Sequence, residues 1–188
     1  MKANDRLSYA DNFVERVLFE PDEIRERVTS LGREISRDYA ESGVQLIGVL
    51  KGSLWILADL VRAINAPVTV DFIAATSYGP SVHGSSAVRL IKDLDQPIDG
   101  QNVLVVEGIV DTGLSLHYVL RTLRARRPAS LDVLTFLDKP MRRLIDLPLR
   151  YVGFTVPDHF VVGYGLDYRE RFRNLPYIAT LKQTILGS

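Results

Sequence analysis

An α/β fold, with a mostly parallel central sheet flanked by helices, is the class this sequence predicts. Short apolar runs suited to buried strands alternate with stretches of helical period, and that alternation marks a parallel sheet with helices on its faces. Two runs end in small glycine-containing loops, Leu50-Lys51-Gly52-Ser53 and Asp111-Thr112-Gly113-Leu114-Ser115. Loops at such strand ends are where these sheets bind ligands. The 188 residues are 46% hydrophobic and 24% charged, which suits one domain with a sizeable core.

The elements follow in order. PDEIRERVTSLGREISRDYA reads as a helix: Pro21 suits its first position, Asp22 and Glu23 its positive end, and Ile24, Val28, Leu31 and Ile35 make one apolar stripe. QLIGVL is a buried strand, and SLWILADLVRAI a second helix with Ser53 as its expected N-cap. VTVDFIAAT is β-branched and reads as a strand, SYGPSVHGSS as a loop, and AVRLIK as a return strand. NVLVVE is expected to end a buried strand at Glu107. After the Asp-Thr-Gly turn comes a helix with Leu116, Val119, Leu120 and Leu123 on one face, then the strand SLDVLTFL. From Lys139 onward Pro, Gly and aromatic residues predict short strands joined by turns.

Composition excludes several functions. Formal net charge is zero, so no global field recruits nucleic acid or a membrane, and any anion site is local. With no cysteine, disulfides and thiolate metal sites are impossible. MKANDRLSYADN lacks an apolar signal core and no apolar run reaches the length of a membrane span, so the expected location is the cytoplasm. His83, His117 and His159 have no spacing that suggests a metal site or a triad.

The chemistry concentrates in VLVVEGIVDTGLSL. A Gly-containing turn entering a helix presents backbone N–H groups, and Thr112 and Ser115 add hydroxyls, which suits a single phosphate. Neither a P-loop nor a dinucleotide fingerprint is present. The ordinary alternative is a capped helix start with Asp111 as N-cap. Glu107 adds to the phosphate reading, because a buried strand rarely ends in a carboxylate that is not solvated, paired or used.

VLVVEGIVDTGLSL resembles the phosphoribosyl diphosphate binding motif of type I phosphoribosyltransferases. VLKGSLWILADL, DFIAATSYG, FLDKP and PDHFVVGYGLDYRERFRNLP are similar, in the same order, to the pyrophosphate loop, lid entrance and purine pocket of the hypoxanthine-guanine members. The resemblance implies the type I phosphoribosyltransferase fold over residues 1–188. Its core would span about 20–138 and a hood about 1–15 and 139–177, with a mobile lid at about 76–87. It implies transfer of phosphoribosyl from 5-phosphoribosyl 1-diphosphate to nitrogen 9 of hypoxanthine or guanine, giving IMP or GMP, with Mg²⁺ as cofactor. The same resemblance implies a homodimer or homotetramer.

Residue by residue, the resemblance assigns Asp111 to proton exchange with purine nitrogen 7. Glu107 takes the ribose hydroxyls, and Thr112, Gly113, Leu114 and Ser115 take the 5′-phosphate. Lys51, Gly52 and Arg173 are assigned to pyrophosphate, often with a cis peptide before the Lys, and Ser77 and Tyr78 to the lid. Lys139 meets the 6-oxo group, Phe160 stacks on the base, Val161 offers backbone contacts, and Asp167 lies beside the purine and holds Mg²⁺. Without the resemblance, Lys51, Asp167 and Arg173 read as solvated turn residues, and Phe160 and Val161 as core.

One position departs from the family: Gly108 stands where a second acid is usual. A charged hydrogen bond contributes about 1.5–3 kcal/mol, so one lost ribose contact predicts about a ten- to hundredfold deficit. Gly108→Asp is accordingly expected to tighten substrate binding. Two other functions stay open: a xanthine-preferring transferase, since Lys139 suits any 6-oxopurine, and a non-catalytic regulator that senses phosphoribosyl diphosphate.

Overall fold

The computed structural model describes residues 8–77 and 88–186. In chain order the main elements are β1 (Val14–Phe19), α1 (Pro21–Asp38), β2 (Val44–Val49), α2 (Leu54–Ala63), β3 (Val68–Ser77), β4 (Val88–Lys92) and β5 (Asn102–Val110). They continue with α3 (Leu114–Arg124), β6 (Ser130–Asp138), β7 (Leu149–Thr155), β8 (Val161–Val162), β9 (Ile178–Leu181) and a short α4 (Gln183–Leu186). The large sheet runs β4-β3-β2-β5-β6-β7, and the small one β1-β9-β8. All pairings in the large sheet are parallel except β3 with β4, and the small sheet is antiparallel.

Alternation along β5 explains the layering. Leu104 and Val106 face α1 and α2, where Val28, Leu31, Ile35, Ile56, Leu57 and Leu60 close the core. Val103 and Val105 face α3, packing with Val119, Leu120 and Leu123. A strand covered on both faces needs consecutive apolar residues, as Val103 to Val106 supply here. The start of α1 is held by Pro21 and by Glu23, whose carboxylate accepts the Glu20 N–H at 2.8 Å. Its far end is tied to the sheet: the Tyr151 hydroxyl donates to Asp38 at 2.7 Å and that of Tyr39 to Asp132 at 2.7 Å, with Arg150 bridging both carboxylates.

Three local expectations are corrected. Strand β5 does not stop at Glu107 but continues to Val110, because pairing with β6 persists through Ile109 opposite Leu137 and Val110 opposite Asp138. Ser53 precedes α2 but is helical itself, and its hydroxyl donates back to the Val49 carbonyl at 2.7 Å instead of capping. Residues 149–155, expected in the hood, form β7 of the large sheet, parallel to β6. Tyr151 and Phe154 there pack into the main core, and burying them favours the sheet over a surface lobe.

Strand order places the next observations. From β2 the chain moves one way to β3 and then returns to the other side as β5, so the switch point lies between the carboxyl ends of β2 and β5.

Candidate active site

At that switch point the Leu50–Lys51 peptide is cis and Gly52 follows it. The carbonyl oxygen of Gly52 lies in a slot between two glycines. A Cβ on Gly108 would come within 2.6 Å of it, and one on Gly165 within 2.6 Å as well. Cβ atoms do not approach backbone that closely, so the β2–α2 loop sits down on the end of β5 only because position 108 has no side chain. This corrects the simple expectation for Gly108→Asp: the space an acidic side chain needs is taken by the loop itself.

Glu107 is part-buried beside this contact. Its carboxylate accepts the Gly108 N–H at 3.0 Å, yet burial outweighs that help and pushes its pKa up to about 8. The Asp-Thr-Gly turn follows. Gly113, with φ of 82°, is the N-cap of α3, so Asp111 is not the cap. Thr112 Oγ1 reaches the Leu114 N–H at 3.5 Å, Ser115 lies exposed in the first helical turn, and the N–H groups of that turn lack intrahelical acceptors. The segment after β6 clasps the turn: the Lys139 N–H donates to Val110 and the Leu144 N–H to Thr112, each at 3.0 Å.

This clasp brings Lys139 to Asp111. The lysine is buried at the end of β6 and its Nζ stands 3.8 Å from Asp111 Oδ2. Burial lowers the Lys139 pKa, while Asp111 and Asp158 oppose that effect. The other oxygen of Asp111 takes the Nε of Arg142 at 2.8 Å, and Arg142 also reaches Asp158 at 3.4 Å. Sequence reasoning passed over Arg142 and Asp158. Only the position of Arg142 close behind the buried Lys139 offered a signal.

A second cluster gathers around the turn after β8. Asp167 pairs with Arg173 at 2.8 Å and accepts the Glu170 N–H at 2.9 Å. Arg173 also donates to the Gly165 carbonyl at 2.8 Å. Lys51 is not free in solvent: its ammonium meets Glu170 at 2.9 Å. Phe160 is 42% exposed, with its ring edge-on to Tyr168 at 5.4 Å, whereas the Val161 side chain is buried in the core. Ser77 ends β3; Tyr78 and His83 lie outside the described residues. His117 and His159 are exposed, and no group of three or more His, Cys, Asp or Glu among the described residues is arranged to hold a metal.

The geometry therefore offers an anion-binding helix start, a carboxylate between two cations, a buried ammonium and an exposed aromatic ring at one sheet end. Comparison with known proteins agrees with that chemistry. Residues 20–169 match the phosphoribosyl transferase domain. The chain is 45% identical over 175 residues to the hypoxanthine-guanine phosphoribosyltransferase of Bacillus subtilis, covering 93% of this chain and 97% of that protein. With the hypoxanthine phosphoribosyltransferase of Salmonella typhimurium it shares 48% identity over 158 residues, 83% of this chain and 89% of the relative. The crystal structure of a hypoxanthine phosphoribosyltransferase from Staphylococcus aureus superposes with a TM-score of 0.90 at 38% identity, covering 98% of both chains. The chain belongs to the phosphoribosyltransferase family, and the relatives it matches include hypoxanthine and hypoxanthine-guanine phosphoribosyltransferases.

Proposed function

We propose that the protein is a purine salvage enzyme, transferring phosphoribosyl from 5-phosphoribosyl 1-diphosphate to nitrogen 9 of hypoxanthine or guanine. The products are IMP or GMP and pyrophosphate. The observation that carries this reading is the buried Lys139 ammonium 3.8 Å from Asp111 at the mouth of the Asp-Thr-Gly turn. An ammonium only donates, so it selects a 6-oxo group and disfavours the 6-amino group of adenine. The relatives named for hypoxanthine and guanine support the same substrates.

In this reading the 5′-phosphate rests on Thr112, Gly113, Leu114 and Ser115, and Glu107 takes the ribose hydroxyls. As nitrogen 9 bonds to the anomeric carbon and the bond to pyrophosphate breaks, nitrogen 7 gives its proton to Asp111. The Asp111 carboxylate also suits the positive charge that develops on the sugar. Phe160 stacks on the base and Val161 contributes backbone contacts to its edge. Lys51, Gly52 and Arg173 receive the pyrophosphate, and Ser77 at the end of β3 is assigned to the exclusion of water.

The residues fit Mg²⁺. Asp167 offers a part-buried hard oxygen donor oriented by Arg173 and the Glu170 N–H, and a cation that keeps waters and substrate phosphates needs no larger protein cage. When bound, Mg²⁺ would neutralise charge on the departing pyrophosphate. The proposed assembly is a homodimer or homotetramer, for which exposed Leu54, Val70 and Ile91 on α2 and the β3–β4 edge offer apolar surface. No helix among the described residues is long and apolar enough to cross a membrane, and the proposed setting is the cytoplasm.

The test is a direct comparison of hypoxanthine, guanine, xanthine, adenine and uracil as acceptors with Mg²⁺ and phosphoribosyl diphosphate. Turnover of hypoxanthine or guanine well above adenine and uracil is expected. Preference for xanthine would move the reading to a xanthine transferase. Substrate binding without turnover of any base would favour a sensor.

A further inference from the structure

We propose that Glu170 is an internal stand-in for pyrophosphate: in the free protein its carboxylate bridges Lys51 and Arg173, and an incoming diphosphate displaces it. The proposal rests on the assignment of those two cations to pyrophosphate made above. One oxygen of Glu170 meets Lys51 Nζ at 2.9 Å and the other meets Arg173 Nη2 at 3.2 Å. Lys51 and Glu170 are 119 residues apart, so the contact is a product of the fold and not of local sequence.

The turn that carries Glu170 is built to aim it. Its backbone N–H is fixed by Asp167 at 2.9 Å, and Tyr168 and Arg171 close the loop with reciprocal backbone bonds of 3.1 and 3.0 Å. Arg169 and Glu170 hold left-handed φ angles of 51° and 63°, uncommon for residues with a side chain. The two cations differ in how firmly they are held. Arg173 keeps Asp167 and the Gly165 carbonyl when Glu170 leaves, whereas Lys51 loses the one ion pair found for it among the described residues.

A carboxylate and a phosphate oxygen make the same demands on an ammonium and a guanidinium. With the Lys51 and Glu170 side chains 64% and 65% exposed, the bridge opens without disturbing the core. Binding then exchanges one anion for another of higher charge. Returning to its place, Glu170 competes with product pyrophosphate, which weakens ground-state binding and speeds release. Glu170 is thus a positioning residue whose removal tightens diphosphate binding.

The experiment is calorimetric titration of the full chain with magnesium pyrophosphate, using wild type, Glu170→Gln, Glu170→Ala and Lys51→Ala, beside steady-state kinetics. Two exposed ion pairs of ordinary surface strength set the expected gain at about three- to tenfold tighter binding for both Glu170 variants. The KM for phosphoribosyl diphosphate falls in step, the KM for the base stays unchanged, and kcat falls where release is limiting. Unchanged or weaker binding in both Glu170 variants, with Lys51→Ala still impairing binding, overturns the stand-in and leaves the subsite intact. If Lys51→Ala binds pyrophosphate as well as wild type, the subsite assignment fails and the proposal fails with it.

Discussion

Adding a single methyl at position 108 probes the end of β5 most sharply. An ideal Cβ there lies 2.6 Å from the Gly52 carbonyl oxygen, 2.8 Å from its carbon and 3.3 Å from Leu166 Cδ2. The first two neighbours are backbone, so relief requires the Lys51–Gly52 loop to lift by about 0.8 Å to reach ordinary contact distance. Overpacking of this kind costs about 1–3 kcal/mol. For a chain of this size that lowers Tm by roughly 2–12 °C. Gly108→Ala carries the cost with no new contact: it should melt lower, and its KM for phosphoribosyl diphosphate should rise. Gly108→Asp carries the same cost but offers a carboxylate to the ribose, worth about 1.5–3 kcal/mol. The two effects are of equal size, so the Asp variant should bind better than the Ala variant and no better than wild type. Thermal unfolding and substrate KM for Gly, Ala and Asp at this position provide the assay. A Gly108→Ala protein indistinguishable from wild type, or a Gly108→Asp protein tighter than wild type, refutes the slot.

Other outcomes follow from the same geometry. Glu107 is pushed up to about 8 by burial, while in the unfolded chain it ionises near 4.5. Its contribution therefore opposes folding progressively as pH rises from 4.5 to 8, and below 4.5 it costs nothing. Glu107→Gln should flatten the fall in Tm across that window; an unchanged profile contradicts the burial. Arg142→Ala removes the hydrogen bond that orients Asp111, and kcat should drop about three- to tenfold at unchanged KM for phosphoribosyl diphosphate, as kinetics with saturating base will show. Lys139→Gln should raise the KM for hypoxanthine about ten- to a hundredfold, while the KM for phosphoribosyl diphosphate stays put; equal changes in both would point to a misfolded site.

The main sheet and its helices were legible because their signals are periodic and local. The stripe Ile24, Val28, Leu31 and Ile35 is buried as its spacing predicts, and VLVVE occupies a strand covered on both faces. Errors fell where long-range pairing overrode local chemistry. Glu107 read as the end of a strand, yet the ladder with β6 carries the chain on to Val110. Leu149–Thr155 lay in a turn-rich region, and only its partner β6 makes it part of the large sheet.

Within the candidate site, the short motifs that carry Asp111, Lys139 and Asp167 stand out in the sequence, but the partners those side chains meet in the fold do not. Arg142 and Glu170 sit on turns without periodicity, and they meet Asp111 and Lys51 across 31 and 119 residues. Gly108 is the clearest case. In the sequence it is a missing carboxylate; in the fold it is the space into which the Gly52 carbonyl fits.

The central claim is that Asp111 works as proton acceptor in phosphoribosyl transfer to a 6-oxopurine. The direct measurement follows conversion of hypoxanthine by the purified protein with Mg²⁺ and phosphoribosyl diphosphate, comparing wild type with Asp111→Asn. Wild type should form IMP and pyrophosphate in equal amounts. The Asn variant should keep its affinity for phosphoribosyl diphosphate within a few-fold and lose about 10²- to 10⁴-fold in kcat, the span expected for a general base. No conversion by wild type, or equal kcat in the two proteins, contradicts the account.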